Sequence, residues 1–85
     1  MIKELEKEFI GRGEVKGFEF TQLIANSHAF LYKVTDTFGN VNYEVFQRIV
    51  NHKFNCVSYP KSKSFGLWAW SFLSHEAAIE RFYSI

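Results

Sequence analysis

The sequence predicts an α+β fold. The expected architecture is an antiparallel four- to five-stranded meander sheet, with an N-terminal and a C-terminal helix packed on one face. Three observations lead there. Apolar residues recur at helical spacing near both ends of the chain, the pattern between them has a period of two, and turn-forming residues separate the alternating runs. The 85 residues are expected to form one domain, 1–85.

The first helix is read from "IKELEKEF". Ile2, Leu5 and Phe9 make one apolar stripe, and Lys3, Glu4, Glu6, Lys7 and Glu8 fill the other faces. Gly11-Arg12-Gly13 would end it, because glycine tolerates the left-handed cap conformation. Alternation then begins. Phe18, Phe20 and Ile24 share one parity, Phe30, Tyr32 and Val34 the next, and Val41, Tyr43, Val45 and Ile49 the third. A turn centred on Phe38-Gly39 would set Val34 opposite Tyr43, Tyr32 opposite Val45, Lys33 opposite Glu44 and Leu31 opposite Phe46. That register places Phe20, Tyr32, Val45 and the helical Phe82 in one core. "HKFNCVSYPKSKS" offers a short strand through Phe54 and Cys56, and then a loop enforced by Pro60. "SFGLWAWSF" has strong strand propensity. Ser74 can cap the last helix, whose stripe is Ala78, Ile79, Phe82 and Ile85.

Composition narrows the function classes. Aromatic residues make up 19% of the chain, enough for a dense core without covalent staples. The single cysteine, Cys56, has no intramolecular partner, which argues against a secreted disulfide scaffold. The N-terminus lacks an apolar signal region, and "FGLWAWSFL" is too short to span a bilayer. A cytoplasmic protein with no membrane partner is therefore expected. Residues 45–75 carry Arg48, Lys53, Lys61 and Lys63 and no acid, a local excess that favours an anionic partner.

The segment "FGLWAW" raises the main functional question. As one continuous strand it would point Trp68, Trp70 and Phe72 one way and Phe65, Leu67 and Ala69 the other, so both faces would be apolar. Two short helices cover only one side of a sheet. The leading expectation is thus a small non-enzymatic binding protein with an aromatic sheet face. Leu31, Phe46, Trp68 and Trp70 would form an interface with a protein partner or, in a homodimer, with a second copy. The contrasting expectation is that loop 52–64 folds over these aromatics and makes them core. The alternative function is nucleic-acid binding through Arg48, Lys53, Tyr59, Lys61 and Lys63, with Trp68 and Trp70 as stacking platforms.

Catalytic and metal chemistry have little support. His52 and Cys56 would lie about 13 Å apart on a strand. A zinc site from His28, His52, His75 and Cys56 matches no ligand spacing. No set of catalytic groups converges, so no enzyme, cofactor or metal is expected. The helix–strands–helix order loosely resembles double-stranded-RNA-binding domains, as does "SHEAAIERF". His75 and Glu76 stand where those domains carry lysines, and residues 52–72 have no counterpart in them. No family is assigned on this likeness.

Overall fold

Strands form where the alternation places them. In the computed structural model, which describes residues 1–85, the central strands are β2 (Glu19–Ala25), β3 (Ala29–Thr35) and β4 (Val41–Gln47). A short β1 (Glu8–Ile10) precedes them. After them come the hairpin β5 (Val50–Asn51) and β6 (Cys56–Val57), then β7 (Ala69–Phe72) and helix α1 (His75–Ser84). The main sheet is fully antiparallel in the order β1-β2-β3-β4-β7, and β5-β6 is a separate ladder. The α+β class holds, with a five-stranded main sheet and one α-helix.

The expected N-terminal helix is absent. Residues 1–10 run extended across the sheet. The Lys3 N–H donates to the Asn55 carbonyl at 2.8 Å, and the Val57 N–H donates to the Lys3 carbonyl at 2.9 Å. The Gln22 N–H donates to the Lys7 carbonyl at 2.7 Å, just before β1 pairs with β2. A helix of eight residues is marginal in water, and the outer edge of β2 would otherwise be unpaired. The apolar stripe is real nonetheless: Ile2, Leu5 and Phe9 all pack on the sheet, from an extended chain.

The β3–β4 register also differs from the expected one, by one residue. Leu31 faces Val45, Tyr32 faces Glu44 and Lys33 faces Tyr43. Asp36 is the cause. Its Oδ1 accepts the N–H of Phe38 at 2.8 Å and of Asn40 at 2.9 Å, which stabilises a loop one residue longer than a two-residue hairpin turn. These bonds, the Asn40 N–H first among them, hold the Asp36 carboxyl below its usual pKa. A one-residue slip moves every β4 side chain relative to β3.

A second local irregularity lies in β2. Pairing shifts between Gln22 and Ile24, so that Gln22 faces Tyr32 while Ile24 faces Leu31. This bulge turns Ile24 to the opposite face from Phe20.

The result is two cores rather than one. On one face Ala29, Leu31 and Val45 pack under Ala78 and Phe82 of α1, as the helical stripe predicts. Ser74 caps that helix, its Oγ accepting the Ala77 N–H at 3.2 Å. On the other face Phe20, Phe30, Tyr32, Val34, Phe46 and Ala69 form the larger cluster. Thus Phe20 and Tyr32 are separated by the sheet from Val45 and Phe82, which corrects the expected single core. No second helix covers the larger cluster. The N-terminal segment and residues 57–68 do so instead.

Truncating Phe20 or Phe82 to Ala is expected to cost about 3–5 kcal/mol each. Because the two side chains lie on opposite faces in separate clusters, the losses should add to within a few tenths of a kcal/mol. Urea denaturation of the single variants, and of the double variant in a stabilised background, tests this. A strong coupling term would mean that the two clusters behave as one.

Candidate functional site

The larger face is closed by one aromatic ring. Tyr59 follows β6 and precedes the buried Pro60, and its ring lies edge-on to four others. The centroid distances are 5.6 Å to Phe9, 5.3 Å to Phe20, 6.1 Å to Tyr32 and 5.3 Å to Phe46. Such edge-to-face contacts set the positive ring edge against negative ring faces. The Tyr59 hydroxyl donates to Glu44 Oε1. Glu44 comes from the middle of β4, between Tyr32 and Ser71 on the neighbouring strands. Burial raises the Glu44 carboxyl pKa, with the Tyr59 bond pulling the other way. Burial, reinforced by the nearby Glu44 charge, pushes the Tyr59 hydroxyl far above its usual range.

An open cleft of about 820 Å³ lies over this pair. Arg12, Glu14, Lys61, Lys63 and Phe65 line it around Glu44 and Tyr59. Arg12 reaches it because the chain turns tightly at Gly11. A Cβ on Gly11 would sit 2.4 Å from the Val15 carbonyl oxygen and 2.8 Å from the Phe20 ring, so only glycine fits. Gly13, at φ +63°, then turns the chain into a short 3-10 turn, Gly13–Val15. The Gly-Arg-Gly run is therefore a loop that presents an arginine, not a helix cap. A second cleft, about 770 Å³, lies beside the first and is lined by Leu5, Phe9, Val15 and Phe20, with Lys3 and Glu6 at its rim.

The expected interface residues do not share a surface. Leu31 and Phe46 are each 0% exposed and lie on opposite faces of the sheet. The one-residue change of register separates them. The aromatic segment is not one strand either. The N–H groups of Leu67 and Trp68 fold back to the Ser64 carbonyl, and Gly66 takes φ +90°, so regular pairing starts only at Ala69. Phe65 and Trp68 pack on the larger cluster, with Trp68 against Phe46 at 6.3 Å. Trp70 lies opposite Val45 on the helix face, under the Arg81 guanidinium, 3.8 Å from its ring centroid. Both tryptophans are half-buried.

The five residues of the nucleic-acid expectation divide as well. Lys61 and Lys63 share the cleft described above. Tyr59 is a core anchor whose hydroxyl is already engaged. Arg48 is ion-paired to Glu4 at 2.5 Å, which offsets part of the acid-free stretch. Lys53 sits at the tip of the β5–β6 hairpin, over the Phe54 ring. Neither Arg12 nor Glu44 carries a sequence signal for this cleft. The crowded glycine beside Arg12 left no sequence trace distinct from a cap. Glu44 would have stood out once placed opposite Tyr32 rather than Lys33.

The histidines and Cys56 do not gather, and no group of three or more His, Cys, Asp or Glu is placed to hold a metal ion. Neither cleft is lined by a histidine or a cysteine. No helix is long and apolar enough to cross a membrane. Compared with protein-family models, curated proteins and solved structures, the chain gives no match.

Tyr59→Phe keeps the ring and removes the O–H, which strands the Glu44 carboxyl. A loss of about 1–3 kcal/mol in urea denaturation at neutral pH is expected. The raised Glu44 pKa also fixes a sign. The folded state takes up its proton before the unfolded chain does, so stability should rise as pH falls toward the unfolded glutamate value of about 4.3. Glu44→Gln should remove that rise. A pH profile for Glu44→Gln that tracks the wild type would assign the effect elsewhere.

Proposed function

We propose that the chain is a small, non-enzymatic, cytoplasmic binding protein whose ligand carries a phosphate or carboxylate group. The ligand is taken by the cleft between Arg12, Lys61 and Lys63. One observation carries this reading: three cations from segments distant in sequence line a single cleft. The acids facing them are Glu14 and Glu44, and Glu44 already accepts a hydrogen bond from Tyr59. A cleft of this size lies within the range of about 300–1,000 Å³ typical of small-ligand sites. The absence of histidine or cysteine from its walls fits holding a ligand better than making or breaking its bonds. Nucleic acid remains the extended form of the same proposal, since lysine and arginine neutralise phosphates without regard to sequence.

Titration with inorganic pyrophosphate and with a short single-stranded oligonucleotide, each over a range of salt, tests the reading. Binding should weaken with salt, and Lys61→Ala/Lys63→Ala should reduce it for both probes and lower the oligonucleotide slope by about two counterions. A marked gain for the oligonucleotide would favour nucleic acid. No binding of either probe at low salt would reject the proposal.

A second reading, contact with a protein, rests on a different observation. β7 is an edge strand: one side pairs with β4, the other meets the chain at Ala69, whose carbonyl accepts the Gly66 N–H, and the flanking Leu67 and Leu73 are 74% and 86% exposed. An open edge with flanking apolar side chains suits strand addition by a partner or a second copy. Sedimentation over a wide concentration range should then show a dimer that Leu67→Lys/Leu73→Lys dissolves. A strict monomer would restrict this reading to a foreign partner.

A further inference from the structure

A groove between α1 and β7 holds an arginine that no carboxylate of the protein pairs. Trp70 and Phe72 of β7 line it with Ala77, Glu80, Arg81 and Ser84 of α1, around an open volume of about 560 Å³. The Arg81 guanidinium lies over the Trp70 ring, 3.8 Å from its centroid, and its Nε is buried without a hydrogen-bond partner. The ion pair of this protein is Arg48 with Glu4, and none forms at Arg81. One helical turn away stand Ala77, Ala78, Ser84 and Ile85, and the facing strand residues are Tyr43, Val45, Trp70 and Phe72. None of these is an acid. Glu80 is exposed to water and makes no bond to Arg81. With Nε shut off, the Nη atoms are left to face the groove, and their fork fits a carboxylate.

The same groove borders the open edge of β7. The Gln47 N–H donates to the Trp68 carbonyl, Val45 faces Trp70 and Tyr43 faces Phe72. Bonded and non-bonded pairs alternate along an antiparallel ladder. Trp70 and Phe72 therefore turn their backbone groups to β4, and Ala69 and Ser71 turn theirs outward. The Ala69 carbonyl accepts the Gly66 N–H, so the turn before β7 closes that end of the edge. The Ser71 N–H and C=O face the side on which the sheet has no further strand.

We propose that an extended segment of another protein adds antiparallel to β7 at Ser71 and sets an aspartate or glutamate side chain on Arg81. This rests on the second reading above, contact with a protein, and names the chemistry of the partner. Side chains alternate along a strand, so the residue paired with Ser71 points away from α1 and its two neighbours point toward it. The neighbour beside Phe72 is apolar, and the one beside Trp70 is the acid. An antiparallel strand runs from Phe72 toward Trp70, so the recognised pattern is apolar-x-acid, with the acid where the Gly66 turn ends the edge. A second copy of β7 paired at Ser71 would instead bring Phe72 beside Trp70 and offer no carboxylate from that strand.

Titration of the full chain with the peptide acetyl-KTTVTE-amide, followed by amide chemical shifts, tests the pairing and the charge together. The Ser71 amide should shift, and this peptide should bind about fivefold more tightly than acetyl-KTTVTQ-amide. Acetyl-KTTVTK-amide should bind weakest. Arg81→Gln should bring the acidic peptide down to the level of the glutamine peptide and leave the latter unchanged. Ser71→Pro removes an outward N–H that β4 does not use, a place where an edge strand accepts proline, and should weaken both peptides alike. Equal binding of the acidic and glutamine peptides to the unsubstituted chain would overturn the Arg81 contact while leaving strand addition intact. A preference for the lysine peptide would assign the selectivity to Glu80 and overturn it as well. A dimer in sedimentation that the peptides do not dissociate would give the edge to a second copy. No shift at Ser71 with any peptide, from a strict monomer, would reject strand addition and the carboxylate contact together.

Discussion

The larger face of the sheet depends on the seating of one side chain. Tyr59 places its ring against Phe9, Phe20, Tyr32 and Phe46, which come from β1, β2, β3 and β4. One residue from a long connection therefore ties together four strands on the side that no helix covers. Its hydroxyl meets a carboxylate that would otherwise be an unpaired acid among aromatic rings. Apolar burial and polar satisfaction thus rest on the same residue. Tyr32 repeats the arrangement on a smaller scale: its hydroxyl donates to the Glu6 carbonyl at 2.6 Å and accepts from Gln22 at 3.0 Å. Through these two hydroxyls both covering segments, the N-terminal one and the one after β6, are fastened to the sheet.

The sequence revealed the strands and the last helix because their patterns are local. Alternation marks β2, β3 and β4, and the Ser74 cap with the Ala78–Phe82 stripe marks α1. What stayed hidden depended on single hydrogen bonds or distant partners. The Asp36 loop shifts a register that cross-strand chemistry alone would have set differently, since pairing Lys33 with Glu44 looked favourable. The bulge near Leu23 reverses a face in mid-strand. The stripe of Ile2, Leu5 and Phe9 identified buried positions without identifying their backbone conformation. These three changes together explain why the expected aromatic patch resolves into two closed cores.

The candidate site was partly legible. Lys61 and Lys63 were visible as a basic tract beside Pro60, and Tyr59 as an aromatic beside them. Their roles were not, because the loop residues that cover the sheet reveal their neighbours only after folding. Lys61 and Lys63 line one cleft with Arg12, a convergence that no spacing rule anticipates. The tryptophans of "FGLWAW" serve packing: Trp68 closes the end of one cluster, and Trp70 carries the Arg81 guanidinium on the other face.

The two faces are closed in unlike ways. A continuous helix with its own hydrogen-bond ladder covers one, and the other is covered by extended chain and short turns drawn from both halves of the sequence. Local opening takes place where few internal backbone bonds must break, so opening is expected first on the aromatic face. The Gly13–Val15 turn and a second short 3-10 turn, Ser62–Ser64, belong to that looser cover and also wall the cleft over Glu44 and Tyr59. Any ligand held between them would act as a clasp, damping these motions and raising stability in proportion to the logarithm of its concentration once the site is filled. The part of the protein with the fewest internal backbone bonds would then respond most to what it binds.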